Sequence, residues 1–198
     1  MRAADRPIAK LLLDRWSPRA FDGSDLSSEA IERLIEAARW APSAFNLQPW
    51  RFGVVRRDTP SWNEALGLLV PFNADWARWA SALVFILSLR CMPGQDPGAR
   101  IPSYSHSFDA GAAWTYLALQ ATSMGLSCHA MTGFDVAQAE RFVGATRDMR
   151  IEAIVAVGRQ GRRDDLPEPL RHREHPSGRK PIGELMIEIA AAPAKTGG

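Results

Sequence analysis

Two short stretches of this chain carry side chains in a pattern that can do chemistry. The first is Arg15-Trp16-Ser17-Pro18-Arg19, followed by Phe21 and Asp22. Two arginines four residues apart, with a hydroxyl between them, can present several charge-assisted donors to a phosphate or a polarised carbonyl. Taken alone, ordinary surface basic residues are the simpler reading. The second stretch is Ala41-Pro42-Ser43-Ala44-Phe45-Asn46-Leu47-Gln48-Pro49-Trp50. Prolines near both ends stiffen it, and Ser43, Asn46 and Gln48 supply hydroxyl and amide groups. A rigid polar loop between two elements is a common place for a ligand. A purely structural turn explains the prolines but not that density of hydrogen-bonding groups.

Other chemistry is excluded or faint. No GxGxxG, Walker A loop, GxSxG or HExxH occurs, which removes the usual dinucleotide-fold, phosphate-loop, hydrolase and zincin readings. His172 and His175 form an H-x-x-H in a basic, proline-containing stretch. Without further ligands that spacing reads as a solvated loop rather than a metal site. Cys91 and Cys128 sit in no C-x-x-C and read as reduced thiols of a cytoplasmic protein. A net charge of +2 gives no reason to expect a nucleic-acid or membrane surface. Leu11-Leu12-Leu13 is too short for a secretory signal, and the apolar run Leu83 to Leu87 too short to span a bilayer.

These residues need a frame. At 198 residues the chain suits one domain, residues 1–198, with a core of useful size. Ser27 caps a predicted helix whose stripe is Ile31, Leu34, Ile35 and Ala38, and Pro42 ends it near Ala41. Trp50 to Val54 alternates as a strand, residues 61–70 and 75–82 look helical, and Leu83 to Leu87 is a buried strand. Residues 91–107, with three prolines and two glycines, read as an irregular loop. A long helix follows from Phe108 to a Gly125 cap, then a strand over Leu126 to Met131. Asp135 to Gln138 resembles a capping box for a helix ending at Gly144, and Ile151 to Val157 is a further strand. Arg159 to Pro181 reads as polar and extended, and residues 190–198 as a disordered tail. The expected fold class is therefore α+β (mixed α/β), a central sheet flanked by helices.

Both clusters, in this order, resemble the nitroreductase family of FMN-dependent oxidoreductases. The likeness is most specific at the A-P-S-x-x-N-x-Q-P-W of residues 41–50. It extends through Phe72-Asn73, the helix Asp109 to Gly125, the turn Met131-Thr132-Gly133-Phe134-Asp135 and Ser177 to Pro181, covering about Leu11 to Leu185. The resemblance implies a flavoprotein that passes hydride from NAD(P)H through FMN to nitroaromatic, quinone, enone or flavin acceptors by a ping-pong route. It implies a homodimer with a dimer-swapped FMN site.

On that resemblance, Arg15 and Arg179 hold the FMN phosphate and Ser17 bonds its phosphate or ribityl region, with Trp16 beside them. Arg19 stands at N1 and the C2 carbonyl, where a fixed cation favours the reduced anion. Asn73 meets the pyrimidine edge, and the backbone of Met131, Thr132 and Gly133 approaches N5, with Gly133 allowing close approach. Pro42, Ser43, Ala44 and Asn46 reach the flavin of the neighbouring subunit, with Gln48 nearby. Two features depart from the pattern. Trp76 stands where some members carry a lysine, leaving Arg19 to act more alone, and residues 91–107 are too short for the helical lid of larger members. Trp76 and Trp79 could wall an acceptor pocket, although core packing is the plainer reading for Trp79. Different flavin chemistry on the same fold (dehydrogenation, dehalogenation, flavin cleavage), and a non-catalytic flavin-binding protein, stay open as alternatives.

Overall fold

A computed structural model describes residues 2–93, 96 and 98–189. Helix α1 spans Lys10–Asp14 and α2 spans Ser28–Arg39, followed by a single 3-10 turn at Ala44–Asn46. Next come strand β1 (Trp50–Arg56), helices α3 (Trp62–Gly67) and α4 (Pro71–Ala77), and strand β2 (Ala82–Leu89). A two-stranded ribbon, β3 (Cys91–Pro93) and β4 (Arg100–Pro102), leads into α5 (His106–Ser123). The chain continues as β5 (Ser127–Met131), α6 (Val136–Phe142), β6 (Met149–Gly158) and α7 (Glu168–Arg171).

The main sheet runs β1-β2-β6-β5 and is antiparallel throughout. Side chains alternate across a strand, and β2 shows what that does to the core. Leu83, Phe85 and Leu87 pack on one face with Trp76, Met131, Leu166 and Leu170. Ala82, Val84 and Ile86 pack on the other with residues of α2 and α5. Both faces are covered, which is why β2 reads as an unbroken apolar run. The result is the expected α+β fold, a sheet between helical layers.

Local chemistry sets the element ends. The Ser27 hydroxyl accepts the Ala30 N–H at 3.1 Å, and Ile31, Leu34 and Ala38 form the buried stripe of α2. The Asp135 carboxylate accepts the Gln138 N–H at 2.9 Å and caps α6. Gly125 and Gly144 follow their helices at φ 70° and 63°, a conformation that glycine enters without a Cβ penalty.

Several expectations give way. The second of the helices expected between 61 and 82 begins at Pro71, not residue 75, because proline suits the first helical position. It ends at Ala77, leaving residues 78–81 for a turn. Trp79 therefore lies beyond the helix and off its buried face: it is 50 % exposed, with the Arg57 guanidinium 5.6 Å from its ring, so core packing fails for it. Trp76, 1 % exposed, is the core residue instead. The 91–107 stretch is not wholly irregular, because its two apolar ends pair as β3 and β4. Helix α5 begins at His106, where the Ser88 hydroxyl lies 2.7 Å from His106 Nδ1 and donates to Glu152 at 2.5 Å. Within 159–181, buried Leu166 and Leu170 anchor a 3-10 turn and α7 rather than an extended run. The tail at 190–198 lies outside the described residues.

Candidate functional site

A cleft of about 460 Å3 opens where residues 15–19, the edge strand β5 and the segment 172–179 meet. Arg15, Trp16, Ser17 and Arg19 line it, and Arg179, which only the resemblance links to them, arrives from the far end of the chain. Arg2, His129, His172, Arg173, His175 and Ser177 also line it. No aspartate or glutamate does so among the described residues.

The N-terminal motif is held from three sides. Arg2 donates to the carbonyls of Leu13 at 3.1 Å and Arg15 at 2.6 Å, and through Nε to that of Ser177 at 2.8 Å. The buried Glu174 carboxylate accepts the N–H of Arg19 at 2.9 and 3.1 Å and that of Ala20 at 2.9 Å. The Gly161 N–H donates to the Ala20 carbonyl at 2.9 Å. A Cβ on Gly161 would stand 2.7 Å from the Phe21 backbone, so this join needs glycine. Within the cleft Arg15 donates to the Ser17 hydroxyl at 3.3 Å, and Arg179 to the Ser177 hydroxyl at 3.1 Å.

The charges are one-sided. Burial pulls Arg15 below its ordinary value, and the charges of Arg2 and Arg179 add to that. Arg2 is lowered by burial and then by Arg179. Arg19 is lowered by burial and then by Arg173, while Glu174 opposes the change. Arginine stays protonated nonetheless, so the cleft holds mutually repelling cations and suits a ligand with more than one negative charge.

His129 brings a neutral group into this field. Its ring lies 4.6 Å from that of Trp76, and Nδ1 is 3.0 Å from the Pro18 carbonyl. A carbonyl only accepts, so Nδ1 carries the proton and Nε2 keeps its lone pair. Burial pushes the His129 pKa down to about 4; bonds to the Pro18 and Ser17 carbonyls oppose this, and Arg19 and Arg15 reinforce it. Because the folded value lies below the unfolded one, the unfolded chain alone binds this proton between about pH 4 and 6.5. Stability is therefore lost as pH falls through that window and the loss levels off below it. In urea titrations at pH 7 and pH 4.5, wild type is expected to lose more stability than His129→Gln; equal losses would refute the assignment.

A second cluster joins α4 to the turn after β5. The Asn73 amide donates to the Gly133 carbonyl at 3.1 Å, which also accepts the Val70 N–H at 3.1 Å. A Cβ on Gly133 would stand 2.9 Å from Asn73 Nδ2 and 3.0 Å from Val70, so the missing side chain makes room for this protein contact. Thr132 is exposed, whereas the Met131 side chain belongs to the core, leaving only its backbone for a ligand.

The 42–48 loop is rigid but stands elsewhere. The Ser43 hydroxyl accepts the Gln48 N–H at 3.0 Å, and the Gln48 amide donates to the Asn46 carbonyl at 3.2 Å. The Ala44 N–H donates at 3.3 Å to Asp109 of α5, which also accepts from Ser105. Phe45, Asn46 and Gln48, on either side of right-handed Leu47, have φ of 51°, 54° and 48°, left-handed conformations that are costly without glycine. Phe45 is 97 % exposed. This loop feeds β1 at one edge of the sheet, whereas the cleft adjoins β5 at the other, with β2 and β6 between. Pro42, Ser43, Ala44, Asn46 and Gln48 are thus not brought into the cleft of their own chain.

Sequence reading missed Arg2, His129, Arg173 and Glu174. Glu174 meets Arg19 across 155 residues and His129 meets Pro18 across 111, which no local pattern records. His172 and His175 are solvent-exposed as expected, yet they line the cleft.

The sequence model of the Nitroreductase family matches residues 12–65 and 60–159. A crystal structure of an oxidoreductase containing FMN is 41 % identical, with a TM-score of 0.92 over 94 % of each chain. Protein DrgA of Synechocystis sp. is 29 % identical over 88 % of this chain and 92 % of its own. The oxygen-insensitive NADPH nitroreductase of Helicobacter acinonychis is 40 % identical over 41 % of this chain and 38 % of its own.

Proposed function

We propose, from the premise that this chain belongs to the nitroreductase family, that it is an FMN-dependent oxidoreductase. In this reading it draws electrons from NADH or NADPH and delivers them to small electrophiles: nitroaromatics, quinones, enones or free flavin. The observation that carries it is the acid-free cleft of clustered arginines beside an edge strand. Such a cleft fits a flavin mononucleotide, whose phosphate is a dianion and whose ring becomes negative on reduction. Arg19 Nε, a buried donor with no partner among the described residues, fits the same ligand.

When bound, FMN supplies the two-electron chemistry, so no side chain has to act as a catalytic acid or nucleophile. Arg15, Ser17 and Arg179 would hold the phosphate, with Trp16 lining the same end. Arg19 would face the ring's N1 and C2 edge and stabilise charge there. Asn73 would meet the pyrimidine edge and the Met131–Gly133 backbone would approach N5, the two tied together by the Asn73–Gly133 hydrogen bond.

We further propose that the protein works as one domain in a homodimer. Pro42, Ser43, Ala44, Asn46 and Gln48 then complete the partner's cleft, which accounts for a polar loop held rigid away from the cleft of its own chain. Phe45, Tyr104 and Phe108 are almost fully exposed, and Ala44 and Ser105, next to two of them, both bond Asp109, which supports a self-contact on this side of the chain. Among the described residues no helix is long and apolar enough to cross a membrane. The free Cys91 and Cys128 support a reducing, cytoplasmic setting.

Anaerobic absorption spectra test the central claim. Purified protein should show a flavin spectrum that bleaches on adding NADH or NADPH, and reoxidises with a quinone or nitroaromatic. A colourless protein that ignores added FMN would refute it. Within that frame, Arg19→Ala should slow flavin reduction more than it weakens FMN binding, because its charge is needed mainly after reduction. Equal losses in both, read by stopped-flow and by cofactor titration, would contradict the role.

A further inference from the structure

The cations of the cleft fall into two groups. Arg2, Arg15 and Arg179 act on one another, whereas the charge that acts most on Arg19 is Arg173. Arg173 is also placed by geometry. Its neighbour Glu174 is clamped to the N–H groups of Arg19 and Ala20, which fixes the Arg173 backbone beside the N-terminal motif. Its guanidinium lies 5.9 Å from the ring of Phe72, the residue before Asn73. Arg173 therefore reaches from Arg19 toward the start of α4, the side of the site where Asn73 meets Gly133. The Glu174 carboxylate, spent on the backbone N–H groups of Arg19 and Ala20, offsets part of the charge on Arg19, and no other acidic group lines the cleft among the described residues. Trp76, buried in the core, brings no charge there.

We propose that Arg173 is the second cation at the ring end of the cleft, sharing with Arg19 the stabilisation of the reduced FMN ring. The proposal rests on the FMN reading above and removes the expectation that Arg19 acts alone. FMN has two anionic ends, the phosphate and the reduced ring, and the two arginine groups match them one to one. The reach of Arg173 toward Phe72 assigns it to the ring rather than to the phosphate.

Sulfite provides a readout that needs no turnover. Its sulfur adds to N5 of oxidised FMN; the S–N5 bond forms, and the displaced π pair moves to the N1/C2 edge as negative charge. A cation at that edge strengthens the adduct. The experiment is a sulfite titration of FMN-loaded wild type, Arg173→Gln and Arg173→Lys, followed by loss of the visible flavin band. Reduction potentials and FMN affinities of the apoproteins are measured alongside. Arg173→Gln should weaken sulfite binding by about tenfold and lower the two-electron potential by about 30 mV. FMN affinity should change little, and Arg173→Lys should recover most of the loss. Unchanged sulfite affinity in FMN-loaded Arg173→Gln overturns the assignment. So does weaker FMN binding with sulfite affinity intact, which would place Arg173 at the phosphate. Wild-type protein that takes up no FMN refutes the cofactor reading itself, and this proposal with it.

Discussion

Glu174→Ala should lower the unfolding free energy by about 3 kcal/mol, because it strands two backbone donors in a protein interior. The Arg19 and Ala20 N–H groups both point at this carboxylate, and Glu174 is 6 % exposed. A buried N–H that loses its acceptor forfeits the bond and still bears its desolvation. Glu174→Gln keeps one acceptor oxygen and turns an NH2 toward the remaining contact, so its loss should be about half as large. Urea unfolding measures both, and the slope with denaturant should stay constant if only stability changes. A wild-type midpoint in Glu174→Ala would mean that water takes over both bonds. The same substitution should loosen residues 15–20 from the 172–179 segment and so weaken FMN uptake indirectly.

Arg15→Ala should act the other way round, on the cofactor far more than on the fold. Removing a charge-assisted contact to phosphate is worth about 1.5–3 kcal/mol, roughly ten- to a hundredfold in FMN affinity. Fold stability of the apoprotein should hold or rise, since Arg15 is crowded by Arg2 and Arg179. Excess inorganic phosphate should strip FMN from the variant sooner than from wild type, because the free anion competes for the remaining arginines. Fluorescence titration of the apoprotein in phosphate and in phosphate-free buffer gives both numbers. Unchanged FMN retention would remove Arg15 from the site.

What the sequence disclosed follows from how local each determinant is. The Ser27 cap, the α2 stripe and the unbroken apolar run of β2 each depend on residues within a turn or a strand of one another, and these features appear where expected. Arg15, Trp16, Ser17 and Arg19 lie within five residues, so one motif carried them; only the resemblance joined them to Arg179. Trp79 was misplaced because its environment depends on where α4 ends, and the helix stops at Ala77, two residues short of it. Arg2, His129, Arg173 and Glu174 were out of reach for a different reason. Each gains its role by meeting a residue far away in the chain, and none carries a local signature. The H-x-x-H reads as a solvated loop and its histidines are exposed, yet the segment, Arg173 included, lines the cleft, which its spacing does not announce.

In the proposed homodimer, the antiparallel order β1-β2-β6-β5 would have a consequence for heredity. A chain altered in the arginine cleft at the β5 edge keeps its 42–48 loop intact, and the converse holds for a chain altered in the loop. Two such chains, each inert when paired with itself, would assemble in a mixed dimer into one whole site and one doubly damaged site. Alleles at the two edges of the sheet would then complement each other, whereas two alleles at the same edge would not.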